Sequence, residues 1–129
     1  MAKDLERQKP SEGELEILQI LWKRKAATVR EVYEEISQTK ECAYTTTLKL
    51  MQIMHEKQLV TRDNSQKTHT YMPNVSKERT QRQILGKMIH TLFSGSTSQM
   101  VLQALGNEKP SNDEIEQIQE MLDKLKKSE

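Results

Sequence analysis

The chain has 129 residues, room for one ordinary domain or two small ones, with 34% hydrophobic, 4% aromatic and 30% charged residues. Its net charge of +1 is balanced along the chain, with 12 Lys/Arg against 11 Asp/Glu over residues 1–73 and 8 against 8 over residues 74–129, so nucleic-acid affinity can rest only on where charges are placed. A single cysteine excludes an intramolecular disulfide framework; no apolar run reaches the length of a membrane span and MAKDLERQKP has no apolar signal core, so a cytoplasmic protein is expected.

Residues 1–10 are polar and are expected to form a flexible N-terminus. Ser11 opens S-x-x-E with Glu14, a capping box in which each side chain satisfies a backbone donor of the other residue. Leu15, Leu18 and Trp22 form one stripe that Ile17 and Leu21 widen, which predicts a broadly buried helix from Ser11 to Lys23. The cations Lys23, Arg24 and Lys25 end it, where they suit the helix dipole. Thr28 and Glu31 repeat the box, and Val29, Val32, Tyr33 and Ile36 follow at helical spacing, predicting a short second helix from Thr28 to Ser37.

After a polar connection from Gln38 to Cys42 comes AYTTTLKLMQIMHEKQLV, Ala43 to Val60, around which the rest is organised. Thr47, Leu50, Met51 and Met54 share one helix face, while Tyr44, Thr45, Thr46, Lys49, Gln52 and Ile53 fall elsewhere. A helix entered at Ala43 presents hydroxyls, open backbone N–H groups and one cation in its first turns. That is what a helix needs to meet phosphates and base edges in a major groove. Alone, the stretch reads first as a threonine-rich surface helix; its neighbours change that reading.

Leu59 to Arg62 reads as a strand, Asp63-Asn64-Ser65-Gln66 as a turn, and Lys67 to Met72 as a second strand closed by Pro73. Helix-turn-helix followed by a hairpin is a winged helix. Arg62 and Lys67 flank the wing tip, within reach of a neighbouring phosphate; strand-edge solvation is the plainer account of each.

From Ser76 a long helix carries Ile84, Leu85, Met88, Ile89, Leu92 and Phe93, and SGSTS (Ser94 to Ser98) breaks it. A short helix from Ser98 to Leu105 holds Met100, Val101, Ala104 and Leu105, with Gly106 as its C-cap. Ser111 and Glu114 form a third capping box, and Ile115, Ile118, Leu122 and Leu125 repeat at the 3-4-3 spacing of paired helices. Three such helices bury too little among themselves, so pairing with a second copy is expected, with folding back onto the winged domain as the alternative. The fold class is therefore mainly α: a winged helix-turn-helix DNA-binding domain over residues 11–74, then a three-helix dimerisation region over residues 75–129.

These pieces resemble the penicillinase-repressor family (BlaI/MecI/CopY transcriptional regulators) from about Pro10 to Lys127. The resemblance is carried by PSEGELEILQILW, VREVYEEI, YTTTLKLMQIMHEKQLVTR, THTYMPNVSKE and MVLQALGNEKPSNDEIEQIQEMLDKLKK, in that order. It implies a homodimeric repressor on a pseudo-palindromic double-stranded DNA operator, with recognition positions at Ala43, Tyr44, Thr45, Thr46 and Lys49. Thr46 is expected on a phosphate, Thr45 and Lys49 on bases, and Tyr44 on a phosphate or a thymine methyl. Dimerisation falls to Leu85, Met88, Leu92, Met100, Val101, Leu105, Ile115, Ile118, Leu122 and Leu125. The resemblance also implies release through cleavage by a membrane-bound zinc metalloprotease sensor, at a position matching Gln103 and Ala104, where neither side chain matches the family's Asn and Phe. Gln58 stands where the family has glycine after the third helix, and the cysteine cluster of the copper-responsive branch is absent.

No catalytic motif, metal-ligand spacing or cofactor signature is found: His55, His69 and His90 are scattered, and the four glycines form no phosphate-cradling loop. Cys42 lies just before the third helix, where a dipole lowers a thiol pKa, but a lone cysteine reads first as a small apolar side chain. An adaptor that binds protein rather than DNA and a ligand-responsive winged-helix regulator are the competing functions.

Overall fold

The structure, a computed structural model, describes residues 9–128. The flexible N-terminus expected over residues 1–10 lies outside the described residues up to Gln8; of the remaining two, Lys9 is exposed and Pro10 is buried. The elements run α1 (Glu12–Arg24), β1 (Ala27–Thr28), α2 (Val29–Ser37), α3 (Tyr44–Glu56), β2 (Val60–Asp63), β3 (Thr70–Pro73), α4 (Lys77–Leu92), α5 (Thr97–Asn107) and α6 (Asn112–Lys127). Contacts divide the chain into two units, one reaching Gln81 and the other starting at Arg82.

In the first unit the two expected capping boxes fix where α1 and α2 begin. The Ser11 N–H donates to Glu14 at 2.8 Å and the Glu14 N–H to Ser11 at 3.3 Å; Thr28 and Glu31 do the same at 2.8 and 3.2 Å. Ile17, Leu18, Ile20 and Leu21 of α1 are buried with Val32 and Ile36 of α2, Met51 and Met54 of α3, and Leu59, Val60 and Tyr71 of the hairpin. Ile20 joins the face expected from Leu15, Ile17, Leu18, Leu21 and Trp22, of which Leu15 and Trp22 are half-buried against the core. The terminal cations of α1 do more than suit its dipole: Lys23 meets Glu35 at 3.3 Å, and Arg24 meets Glu31 at 3.1 Å and Glu35 at 3.2 Å, clamping α1 to α2.

The sheet is antiparallel with order β1-β3-β2. Arg62 pairs with Tyr71 and Asp63 with Thr70, while the two-residue β1, which no sequence pattern marked, places Ala27 against Tyr71 on the other edge. Both long strands start later than expected, β2 at Val60 and β3 at Thr70, so Lys67 lies in the connecting loop. Gln58 holds φ +66 in the turn from α3 to β2, and the Leu59 N–H donates to the Met54 carbonyl at 2.9 Å. The left-handed residue that glycine supplies most cheaply is thus supplied by glutamine, and its carbonyl accepts the Asn74 side-chain amide at 2.9 Å. The indole N–H of Trp22 donates to the Val75 carbonyl at 2.9 Å, fastening the segment after β3 to α1.

In the second unit, Ser111 and Glu114 form the third capping box. Helix α5 departs from expectation at both ends: Ser96 caps it, and it continues through Gly106 to Asn107, so Gly106 is a helical residue and not the C-cap. The helix does stop short of Pro110, which cannot continue it. None of α4, α5 and α6 packs extensively on another, and from Gln81 onward no described residue is buried.

Candidate nucleic-acid interface

Helix α3 begins at Ala43, which is extended and offers no side-chain cap. The Thr46 N–H turns back to the Ala43 carbonyl at 3.1 Å, while the Tyr44 and Thr45 N–H groups have no acceptor among the described residues, at the end of the dipole that attracts anions. Thr47, Met51 and Met54 turn into the core, which forces the alternate positions outward. Ala43, Thr45, Thr46 and Lys49 are exposed, and the side chains of Thr45, Thr46 and Lys49 make no hydrogen bond or ion pair among the described residues.

Two ties hold this helix to α1. Gly13 lets α1 approach closely, since a Cβ there would stand 3.3 Å from Leu50 Cδ1. At the far end Lys57 Nζ lies 2.7 Å from the buried carboxylate of Glu14. A rigid mounting of this kind keeps the outward side chains in one arrangement.

Tyr44 differs from its neighbours. It is half-buried, its ring meets that of Tyr33 edge-on at 5.6 Å and 79°, and the Arg30 guanidinium carbon lies 4.8 Å from its centroid. The ring is engaged within its own unit and sets the position of Arg30. Cys42, near the start of α3, is half-buried with its Sγ 3.4 Å from Ser37 Oγ.

On the wing, Arg62 is half-buried with its Nε without a hydrogen-bond partner, and Lys67 is exposed. Asp63 is committed to its own turn: the Ser65 N–H donates to its carboxylate at 2.9 Å and holds its pKa below the ordinary range. A groove of about 390 Å³ runs between α3 and the wing, lined by Arg30, Tyr44, Gln52, Arg62, Lys67 and His69 among others. Arg30 escaped the sequence reading because an arginine in the first turn of a helix looks like ordinary solvated charge; only the fold brings it beside Tyr44.

In the second unit, Leu85, Met88, Leu92, Leu105, Ile115, Leu122 and Leu125 are exposed, Leu92 at 70%, while Met100, Val101 and Ile118 are half-buried. Gln103 and Ala104 are exposed inside α5, so the bond between them lies in regular helix. No helix among the described residues is long and apolar enough to cross a membrane.

A solved structure described as the DNA-binding domain of the repressor BlaI, determined in solution, matches with a TM-score of 0.50 and 23% identity, over 54% of this chain and 85% of that one. The fold is accordingly a winged helix. The chain is also similar to the penicillinase repressor of Staphylococcus aureus, 25% identical over 117 residues that cover 91% of this chain and 93% of that protein. Similarity extends to the methicillin resistance regulatory protein MecI of Staphylococcus aureus (strain N315), 26% identical over 114 residues (88% and 93%). The penicillinase repressor of Bacillus licheniformis is 23% identical over 116 residues (90% and 91%). The family model described as penicillinase repressor matches residues 10–124, nearly the whole chain, and with it the capping boxes, the winged unit and the helical tail find one explanation: the chain belongs to the penicillinase-repressor family of transcriptional regulators.

Proposed function

We propose that this protein is a sequence-specific DNA-binding repressor that acts as a homodimer on a pseudo-palindromic operator. The observation that carries the reading is the outward, unpartnered set Thr45, Thr46 and Lys49 on a helix tied to α1 at its middle and at its C-terminal end. Thr46 serves a phosphate, Thr45 and Lys49 serve base edges, and Ala43 leaves room at the helix entrance. The winged domain spans residues 11–74, and the dimer seam lies in residues 75–129. The exposed apolar side chains of α4, α5 and α6 support that seam, because such faces are stable in water only when another surface covers them. Two-fold pairing then sets two half-sites about 34–36 Å apart, or a multiple of that spacing.

Release follows cutting of the tail by a membrane-bound zinc metalloprotease sensor. Gln103–Ala104 is the candidate bond, and since it lies within α5, the helix must open before a protease can take it as an extended strand.

The test is a mobility shift with the duplex upstream of the protein's own gene, alongside sedimentation at micromolar concentration. A retarded band that survives competitor DNA, from a dimer, is expected. No shift on any duplex would leave the protein-binding adaptor, which only the balanced charge favours.

A further inference from the structure

The groove between α3 and the wing brings together Arg30 from α2, Arg62 from β2 and Lys67 from the hairpin loop, and among the described residues no acidic one lines it. None of the three cations forms an ion pair among the described residues. Elsewhere in this unit Lys23, Arg24, Lys40 and Lys57 pair with carboxylates, while Lys25, Lys49, Lys77 and Arg79 form no ion pair among the described residues; what sets the groove apart is that three cations converge there. The Arg62 Nε is shielded from solvent and has no acceptor among the described residues, a state that costs free energy, so an anion in the groove would be met by the outer guanidinium N–H groups, with Nε reached only if the side chain shifts. The Arg30 guanidinium lies over the face of Tyr44, its carbon 4.8 Å from the ring centroid, and its N–H groups form no hydrogen bond among the described residues.

We propose that this groove is a phosphate site in which Arg30, Arg62 and Lys67 together hold one tetrahedral oxyanion, with Tyr44 acting as a positioning residue for Arg30. The site deepens the DNA-binding reading and rests on it for the source of the phosphate: a backbone diester of the bound duplex. The same chemistry would accept the phosphate of a free small molecule, which would make the groove a point of competition with DNA.

The experiment uses the full chain and two readouts. The first is the slope of log affinity against log salt, on upstream and random duplexes, for the wild type, Arg30→Gln, Arg30→Lys and Lys67→Gln. Arg30→Gln and Lys67→Gln should each lower the slope by up to about 0.9, equally on both duplexes, and Arg30→Lys should keep it. The second is the Arg62 Nε–H resonance of 15N-labelled protein, titrated with duplex and, separately, with inorganic phosphate against chloride of equal ionic strength. Movement with duplex alone assigns the phosphate to DNA. Movement with inorganic phosphate, accompanied by loss of duplex, assigns it to a free ligand. An unchanged slope in both Gln variants, with an Arg62 resonance that neither titrant moves, overturns the site. A wild type that binds no duplex overturns the DNA-binding reading, and the inorganic phosphate titration still decides the groove. Circular dichroism of each variant checks that it is folded, and Lys67, in an exposed loop, is the substitution least able to disturb the core.

Discussion

The Lys57 ammonium, one residue beyond α3, lies 2.7 Å from the Glu14 carboxylate in the first turn of α1, and the carboxylate is buried while the lysine is one-third exposed. The same carboxylate accepts the Ser11 N–H, so one charge caps α1 and moors the end of α3. Removing the cation leaves a buried carboxylate short of a partner. Lys57→Met should cost about 1–3 kcal/mol, less than for a fully buried pair because water reaches the lysine. Urea unfolding of both proteins measures it, and a loss below about 0.5 kcal/mol would mean that the pair is only a surface contact.

Gln58 adopts φ +66 where a side chain is disfavoured. Gln58→Gly should relieve that strain and stabilise the fold by about 0.5–1 kcal/mol, the entropy cost of glycine offsetting part of the gain. The Leu59 N–H bond to the Met54 carbonyl and the Asn74 side-chain amide bond to the Gln58 carbonyl involve no Gln58 side-chain atom and survive the change. A lower melting temperature for Q58G would show that the glutamine side chain stabilises the turn.

Glu31 accepts the Thr28 N–H, which, with further help from the Thr28 hydroxyl and Arg24, holds its pKa below the ordinary value against the opposing effect of burial. A carboxylate lowered in the folded state contributes stability that is complete above the unfolded value, about 4.3, and is lost as pH falls through the folded value. Glu31→Gln should therefore flatten the fall in urea midpoint between neutral and acid pH. Parallel curves for the two proteins would show that Glu31 titrates alike folded and unfolded.

Lys49→Ala should weaken operator binding by about 1–3 kcal/mol and alter preference at one base pair. Anisotropy titrations against operator variants read both effects. An equal loss on random duplex reassigns Lys49 to a phosphate.

Leu122 and Leu125 recur on one face of α6 and are both exposed. Leu122→Lys should shift sedimentation from dimer to monomer, while the first unit melts as before. An unchanged dimer would move the seam away from α6.

Elements set by neighbours in sequence were legible beforehand. The pairs Ser11 and Glu14, Thr28 and Glu31, and Ser111 and Glu114 each carry their capping signal within three residues, and the helices start where those pairs stand. Elements set by distant partners were not. Ala27 and Thr28 form a strand only because β3 lies alongside, and Arg30 joins the candidate site only because Tyr44 reaches it across the turn. Gly106 misled because glycine ends a helix only when the backbone turns left-handed, and here it stays helical. The outward set Thr45, Thr46 and Lys49 was legible because Thr47, Met51 and Met54 fix which way the helix faces.

Among the described residues every buried side chain falls at or before Thr80, so the head carries a finished interior and the described part of the tail carries none. If the tails pair as proposed, their contribution to binding is valency: each head raises the other's effective concentration at its half-site. Severing the link would then leave two intact heads that each still recognise DNA but dissociate independently, and repression would be lost with nothing unfolded.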